Sequence, residues 1–256
     1  MSDLQVTTED GVTTITFTRP ARKNALTVQM YQDTVAALKA AASDPAVRVV
    51  VITGSGDSFT SGNDVADFMN TPPTGEDSPV FQFLLTLFGY EKPVVVAVNG
   101  TAVGIGVTML LHADIVYVAD SAKLKLPFTT LGLCAEGGSS FLLPRMAGHA
   151  RAAELLLFGE PFDAATAVDV GLASRVVPAE GLAAFTKERA RILARERPAV
   201  SLRTTKRLMK EALRERIDQA LVKEAVEFTA LLGGDEAREA FTAFFEKRKP
   251  DFAQFS

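Results

Sequence analysis

KPVVVAVNGTAVGIG, residues 92–106, decides the fold class. Proline cannot sit inside a central strand but can open one, and Pro93 stands directly before Val94 to Val98, a run without a polar residue. Such a run fits a strand buried on both faces, the kind found in parallel sheets. Asn99-Gly100 turns the chain out of the strand, and an apolar helix is expected from near Gly106. Amides at a helix start lack intrahelical acceptors and sit at the positive end of the dipole, so they are able to hold developing negative charge. The same glycines serve equally well as helix-packing residues. A dinucleotide fingerprint would need a third glycine where Met109 stands.

The flanking segments repeat this alternation. Val12 to Phe17 places Thr13, Ile15 and Phe17 on one face of a strand, ended by Arg19-Pro20. Thr27 is the expected N-cap of a helix whose apolar face is Tyr31, Val35, Leu38 and Ala42. Val47 to Thr53 reads as a second buried strand and Gly54 to Asp64 as a loop. Asn70 to Pro79 reads as a mobile loop, Val80 to Phe88 as an apolar helix, and Ile115 to Val118 as a further strand. Strands and helices in alternation predict an α/β fold. From about residue 148 the pattern is mostly helical. Met209, Leu213, Ile217, Leu221, Ala225, Phe228 and Leu232 form one long stripe, which Gly233-Gly234 stops. Asp235 then opens a last helix carrying Phe241, Phe244 and Phe245, whose apolar surface needs a partner within the chain or on another subunit.

Composition removes several function classes. Hydrophobic residues make up 47% and charged residues 23% of 256 residues, as in a globular enzyme. A net charge of −4 offers no basic face for nucleic acid. No run approaches the roughly 20 apolar residues of a membrane span. The start has no signal-peptide pattern, the end has no peroxisomal Ser-Lys-Leu address, and the single Cys134 fits a reducing compartment, so a cytoplasmic location is expected. His112 and His149 are the only histidines and stand on separate segments, so neither a metal cluster nor a histidine triad is expected.

One carboxylate stands out. Glu136 lies among apolar residues just before an expected helix containing Ser139, Ser140 and Phe141. At a helix start its charge would be stabilised, whereas in a dry pocket desolvation would raise its pKa and suit it to proton transfer. The sequence leaves both open.

Six stretches together resemble the enoyl-CoA hydratase/isomerase (crotonase) family across nearly the whole chain. They are RPARKNALT (19–27), VRVVVITGSGDSFTSGNDVADF (47–68), KPVVVAVNGTAVGIG (92–106), ADIVYVADSAKLKLPFTTLGL (113–133), LFGEPFDAATAVDVGLASRVVP (157–178) and AFFEKRKPDF (243–252). The resemblance implies a spiral of ββα turns over residues 1–197, holding coenzyme A and the active site, and a helical trimerisation region over 198–256. It implies an acyl-CoA thioester as substrate, no cofactor beyond the coenzyme A it carries, and a homotrimer or dimer of trimers. The implied oxyanion hole consists of the backbone amides of Ser61 and Ile105. Arg22, Lys23, Ala25, Leu26, Gly62, Asn63, Asp64, Gly104 and Phe128 are the implied substrate-binding residues, with Lys247 of a neighbouring subunit near the nucleotide.

The departures from that pattern bear on the reaction. The two glutamates with which family hydratases activate water correspond here to Thr108 and Phe128. Glu136 instead falls where Δ3,Δ2-enoyl-CoA isomerases carry their catalytic glutamate, and the Ser-Gly-Asn-Asp loop and Pro127-Phe128 resemble the peroxisomal-type branch of those isomerases. The resemblance therefore implies an isomerase, with hydration, another reaction of the family, or non-catalytic acyl-CoA or RNA binding as the rivals. The Val80 to Phe88 helix is the expected acyl-chain wall or, equally, an ordinary core helix.

Overall fold

The computed structural model describes residues 3–70, 75 and 77–255. Half of the loop read over Asn70 to Pro79 therefore lies outside the described residues. The described chain opens with the antiparallel pair β1 (Leu4–Glu9) and β2 (Val12–Phe17). Thr13, Ile15 and Phe17 of β2 are buried, as period-two alternation dictates. Helix α1 (Val28–Ser43) follows, with the Thr27 hydroxyl accepting from the Met30 amide. Its buried face is Met30, Tyr31, Thr34, Leu38 and Ala41; the expected Ala42 is exposed, because the buried stripe runs one position earlier at its end.

The chain then winds through three similar turns. Each places one strand in a large sheet and the next in a small one before a helix returns. The turns are β3 (Val49–Gly54) with β4 (Ser58–Thr60), then β5 (Val94–Val98) with β6 (Thr101–Val103), then β7 (Ile115–Ala119) with β8 (Lys123–Lys125). The intervening helices are α2 (Val65–Asn70), α3 (Pro79–Phe88) and α4 (Ile105–Thr108), and α5 (Ser139–Ala147) follows β8. The later elements are α6 (His149–Ala153), β9 (Phe162–Asp163), α7 (Ala164–Asp169), β10 (Arg175–Val177) and α8 (Leu182–Glu196). Among the described residues the large sheet has six strands in the order β1-β2-β3-β5-β7-β10, parallel from β2 onward; the small one has four, β4-β6-β8-β9. This is the ββα spiral of the crotonase fold.

β3 and β5 have no exposed residue, which is why both read as unbroken apolar runs. β4 and β6 escaped the sequence reading. They have three residues each and lie inside segments read as a loop and a turn. The helical tail also differs from its reading. The stripe from Met209 to Leu232 belongs to two helices, α9 (Ala199–Glu211) and α10 (Arg214–Leu232), and Met209 is exposed. α11 (Asp235–Glu246) follows, with Phe241 buried and Phe244 and Phe245 exposed. None of the helices described is long and apolar enough to cross a membrane.

Candidate active site

The site is built where β4 and β6 end side by side. Thr60 pairs with Ala102, so the loop Ser61-Gly62-Asn63 leaves the small sheet next to Val103-Gly104-Ile105. Gly62 has φ +88°, and a Cβ there would meet the Val103 carbonyl oxygen at 2.8 Å, so only glycine lets the two loops touch. On its other side the loop pairs with the Arg19–Thr27 segment. The Leu26 amide donates to Gly62 O and the Asp64 amide to Leu26 O, both at 2.8 Å.

These loops open onto a cavity of about 1050 Å³ that extends to solvent. Phe81 and Leu84 of α3, Leu221, Ala225 and Phe228 of α10, and Phe241 of α11 give it an apolar wall. The other side brings together Ser61, Gly62, Asn63, Gly104, Ile105, Phe128 and Glu136. Glu136 is the one ionisable side chain among the described residues lining it.

Burial pushes the Glu136 carboxyl up to about 8, and the nearby Glu224 charge adds to the rise. The Thr108 hydroxyl opposes both by donating to Glu136 Oε1 at 2.5 Å. Glu136 is half-buried, and of the two effects left open by the sequence the desolvation outweighs the stabilisation of its charge. Glu136 does not cap α5; the Gly138 and Ser140 amides are held by Glu224 instead. Gly137, at φ +66°, lets the segment press on Thr108, whose Cβ would lie 2.8 Å from a Cβ at 137.

Ser61 needs correction as an oxyanion donor. Its amide donates to the Lys23 carbonyl at 2.9 Å and is therefore occupied. The amides of Asn63 and Ile105 have no acceptor among the described residues, and both residues line the cavity. Arg22 and Lys23 are exposed beside that loop, whereas Ala25 and Leu26 are buried and their main-chain groups are bonded within the protein. Asp64 does not line the cavity; it pairs with Arg19 at 3.1 Å.

The other candidates have structural roles. His112 is buried, donates through Nε2 to Gly137 O at 2.7 Å and packs on Phe88, and burial lowers its pKa to about 4. Burial raises the Cys134 thiol to about 11, unsuited to a nucleophile. No group of three or more potential metal ligands occurs among the described residues.

The enoyl-CoA hydratase/isomerase family profile matches residues 7–255. The chain belongs to that family. It is 38% identical over 251 residues to enoyl-CoA delta isomerase 2 of Rattus norvegicus, with 96% of this chain aligned. The chain spans only 63% of that relative's length. It is also 35% identical to enoyl-CoA hydratase ACTT3 of Alternaria alternata, over 95% of this chain and 83% of that one. The solved structure of Pseudomonas aeruginosa OdaA superposes with a TM-score of 0.93 at 43% identity, covering 95% of this chain and 99% of that one.

Three residues important to this family member's site were not singled out in the sequence. Asn24, fully buried with φ 53°, accepts from the Arg19 amide and donates to Ser55 O and Ser58 O, tying the first loop to β4. Tyr31 donates to the Asn63 side chain at 2.5 Å. Glu224 reaches α5 from α10. Only Tyr31 gave a signal, and that was a place on an apolar helix face.

Proposed function

We propose that this chain is an acyl-CoA isomerase that moves a carbon–carbon double bond from C3 to C2 of an enoyl-CoA thioester. The observation that carries the reading is the lone carboxylate. Hydration by the family's route needs two acids to activate and position a water. Here the two corresponding positions hold the Thr108 hydroxyl and the Phe128 ring, and Glu136 is the one ionisable group among the described residues that line the cavity. A double-bond shift needs only one group, because the proton taken from C2 is returned at C4.

The thioester oxygen lies between the free amides of Asn63 and Ile105, which stabilise the dienolate as charge moves onto that oxygen. Glu136 removes the C2 proton. A carboxyl held at about 8 is a strong base while keeping an ionised fraction at neutral pH. The acyl chain runs along the apolar wall of α3, α10 and α11. Arg22 and Lys23, exposed beside the Ser61 loop, meet coenzyme A phosphates. The exposed apolar side chains Leu208, Met209, Val226, Phe244 and Phe245 support a homotrimer or dimer of trimers, which sedimentation would measure.

Hydration remains the second reading, favoured by the likeness to a named hydratase. Incubation with 3-enoyl-CoA and, separately, with 2-enoyl-CoA distinguishes them. Formation of 2-enoyl-CoA from the first and no 3-hydroxyacyl-CoA from the second is the expected result; rapid 3-hydroxyacyl-CoA formation from the second overturns it.

A further inference from the structure

Helix α10 touches the site in two ways at once. Leu221, Ala225 and Phe228 face the cavity, and Glu224, between them in sequence, is 6% exposed and points at the start of α5. Its Oε2 accepts from the Gly138 amide at 2.5 Å; its Oε1 accepts from the Ser140 amide at 2.9 Å and the Ser140 hydroxyl at 2.5 Å. Gly138, the N-cap of α5, has no side chain to cap that helix, so the cap is supplied from α10. The same short segment is held at Glu136 by Thr108, at Gly137 O by His112, and internally by the Ser139 hydroxyl, which donates to Glu136 O at 2.6 Å.

Burying a carboxylate is costly unless its acceptor sites are filled, and among the described residues every donor to the Glu224 carboxylate comes from Gly138 and Ser140. We infer that Glu224 is a positioning residue: it locks the Glu136–Ser140 segment to the substrate-facing helix α10, so that the base and the acyl-chain wall keep one fixed register. This rests on the isomerase reading above. Because α10 carries both the wall and the lock, loosening Glu224 displaces the base without removing the surface that binds the acyl chain. A glutamine at this position keeps one acceptor oxygen but sets an amide N–H against the Gly138 or Ser140 N–H. Ser140→Ala removes one of the three donors at an exposed position and leaves the two amide contacts in place.

The test compares the full-length wild type with Glu224→Gln and Ser140→Ala on 3-enoyl-CoA, reading kcat, KM and Tm. Misplacing a reacting group by about 1 Å can cost on the order of 100-fold, so Glu224→Gln is expected to lose about that much kcat at unchanged KM. Ser140→Ala is expected to lose about tenfold. Unchanged kcat in both, or a loss carried by KM alone, overturns the inference. Should Glu224→Gln fail to fold, Ser140→Ala decides alone. Should the wild type convert no 3-enoyl-CoA, it is the isomerase reading that fails, and a crystal structure of Ser140→Ala then decides the positioning role. Glu136 displaced from Thr108 would support it, and Glu136 unmoved would overturn it.

Discussion

The Thr108 hydroxyl donates to Glu136 Oε1 at 2.5 Å, so the carboxylate of this cavity is paired with a neutral donor and not with a second acid. A hydroxyl in that place lowers the pKa of the carboxyl; it is not itself a second acid. The contact also links two segments far apart in sequence, α4 and the turn before α5.

Thr108→Ala removes the one hydrogen bond that lowers the Glu136 pKa, leaving burial and the Glu224 charge to push it further up. A base acts in its ionised form, so kcat/KM of the wild type should rise with pH through about 8. In Thr108→Ala that rising limb should move to higher pH. An unmoved limb in the pH–rate profile would show that the hydroxyl does not tune this group.

Glu136 also makes stability depend on pH. Its folded pKa of about 8 lies above the ordinary 4.5, so the folded chain keeps a proton that the unfolded chain loses. This contribution is complete below about 4.5, declines as pH rises, and is gone above about 8. The Tm of Glu136→Gln should therefore gain on that of the wild type across this window. Parallel Tm curves for the two proteins would contradict the burial of the carboxyl.

Gly137→Ala should damage the site and the fold together. The position has φ +66°, and the added Cβ would lie 2.8 Å from Thr108 Cβ. Left-handed strain and overpacking together should cost about 2–5 kcal/mol, measured by urea unfolding. Displacing Glu136 should also lower kcat, on the order of 100-fold.

Leu84→Trp should act on chain length. Leu84 lines the apolar part of the cavity together with residues of α10, and a larger ring would fill the path of a long acyl chain. With long-chain substrate kcat/KM should fall about tenfold or more, while a four-carbon substrate should be little affected. Equal losses for both would place the chain elsewhere.

What the sequence disclosed follows from what each element buries. Val94 to Val98 was legible because both faces of β5 are covered and every side chain must be apolar. β4 and β6 were not, since each is three residues long and owes its strand geometry to a partner some 40 residues away. The break between α9 and α10 at Leu213 was hidden because the apolar spacing continues across it. Within the site, Glu136 was visible as a carboxylate in apolar company. Which environment it met depended on Glu224, 88 positions further along, taking the α5 amides for itself. The sequence points to Ser61 as a donor, but amides along the loop face different ways, and the bond to Lys23 O shows that this one is occupied.

The central claim is that Glu136 carries the proton. The most direct measurement is the rate of 3-enoyl-CoA to 2-enoyl-CoA conversion by wild type and Glu136→Gln, with thioester binding followed in parallel. General acid–base catalysis typically contributes about 100- to 10,000-fold, so the mutant should lose at least that range's lower bound while binding the thioester normally. A mutant that keeps most of the wild-type rate would contradict the account.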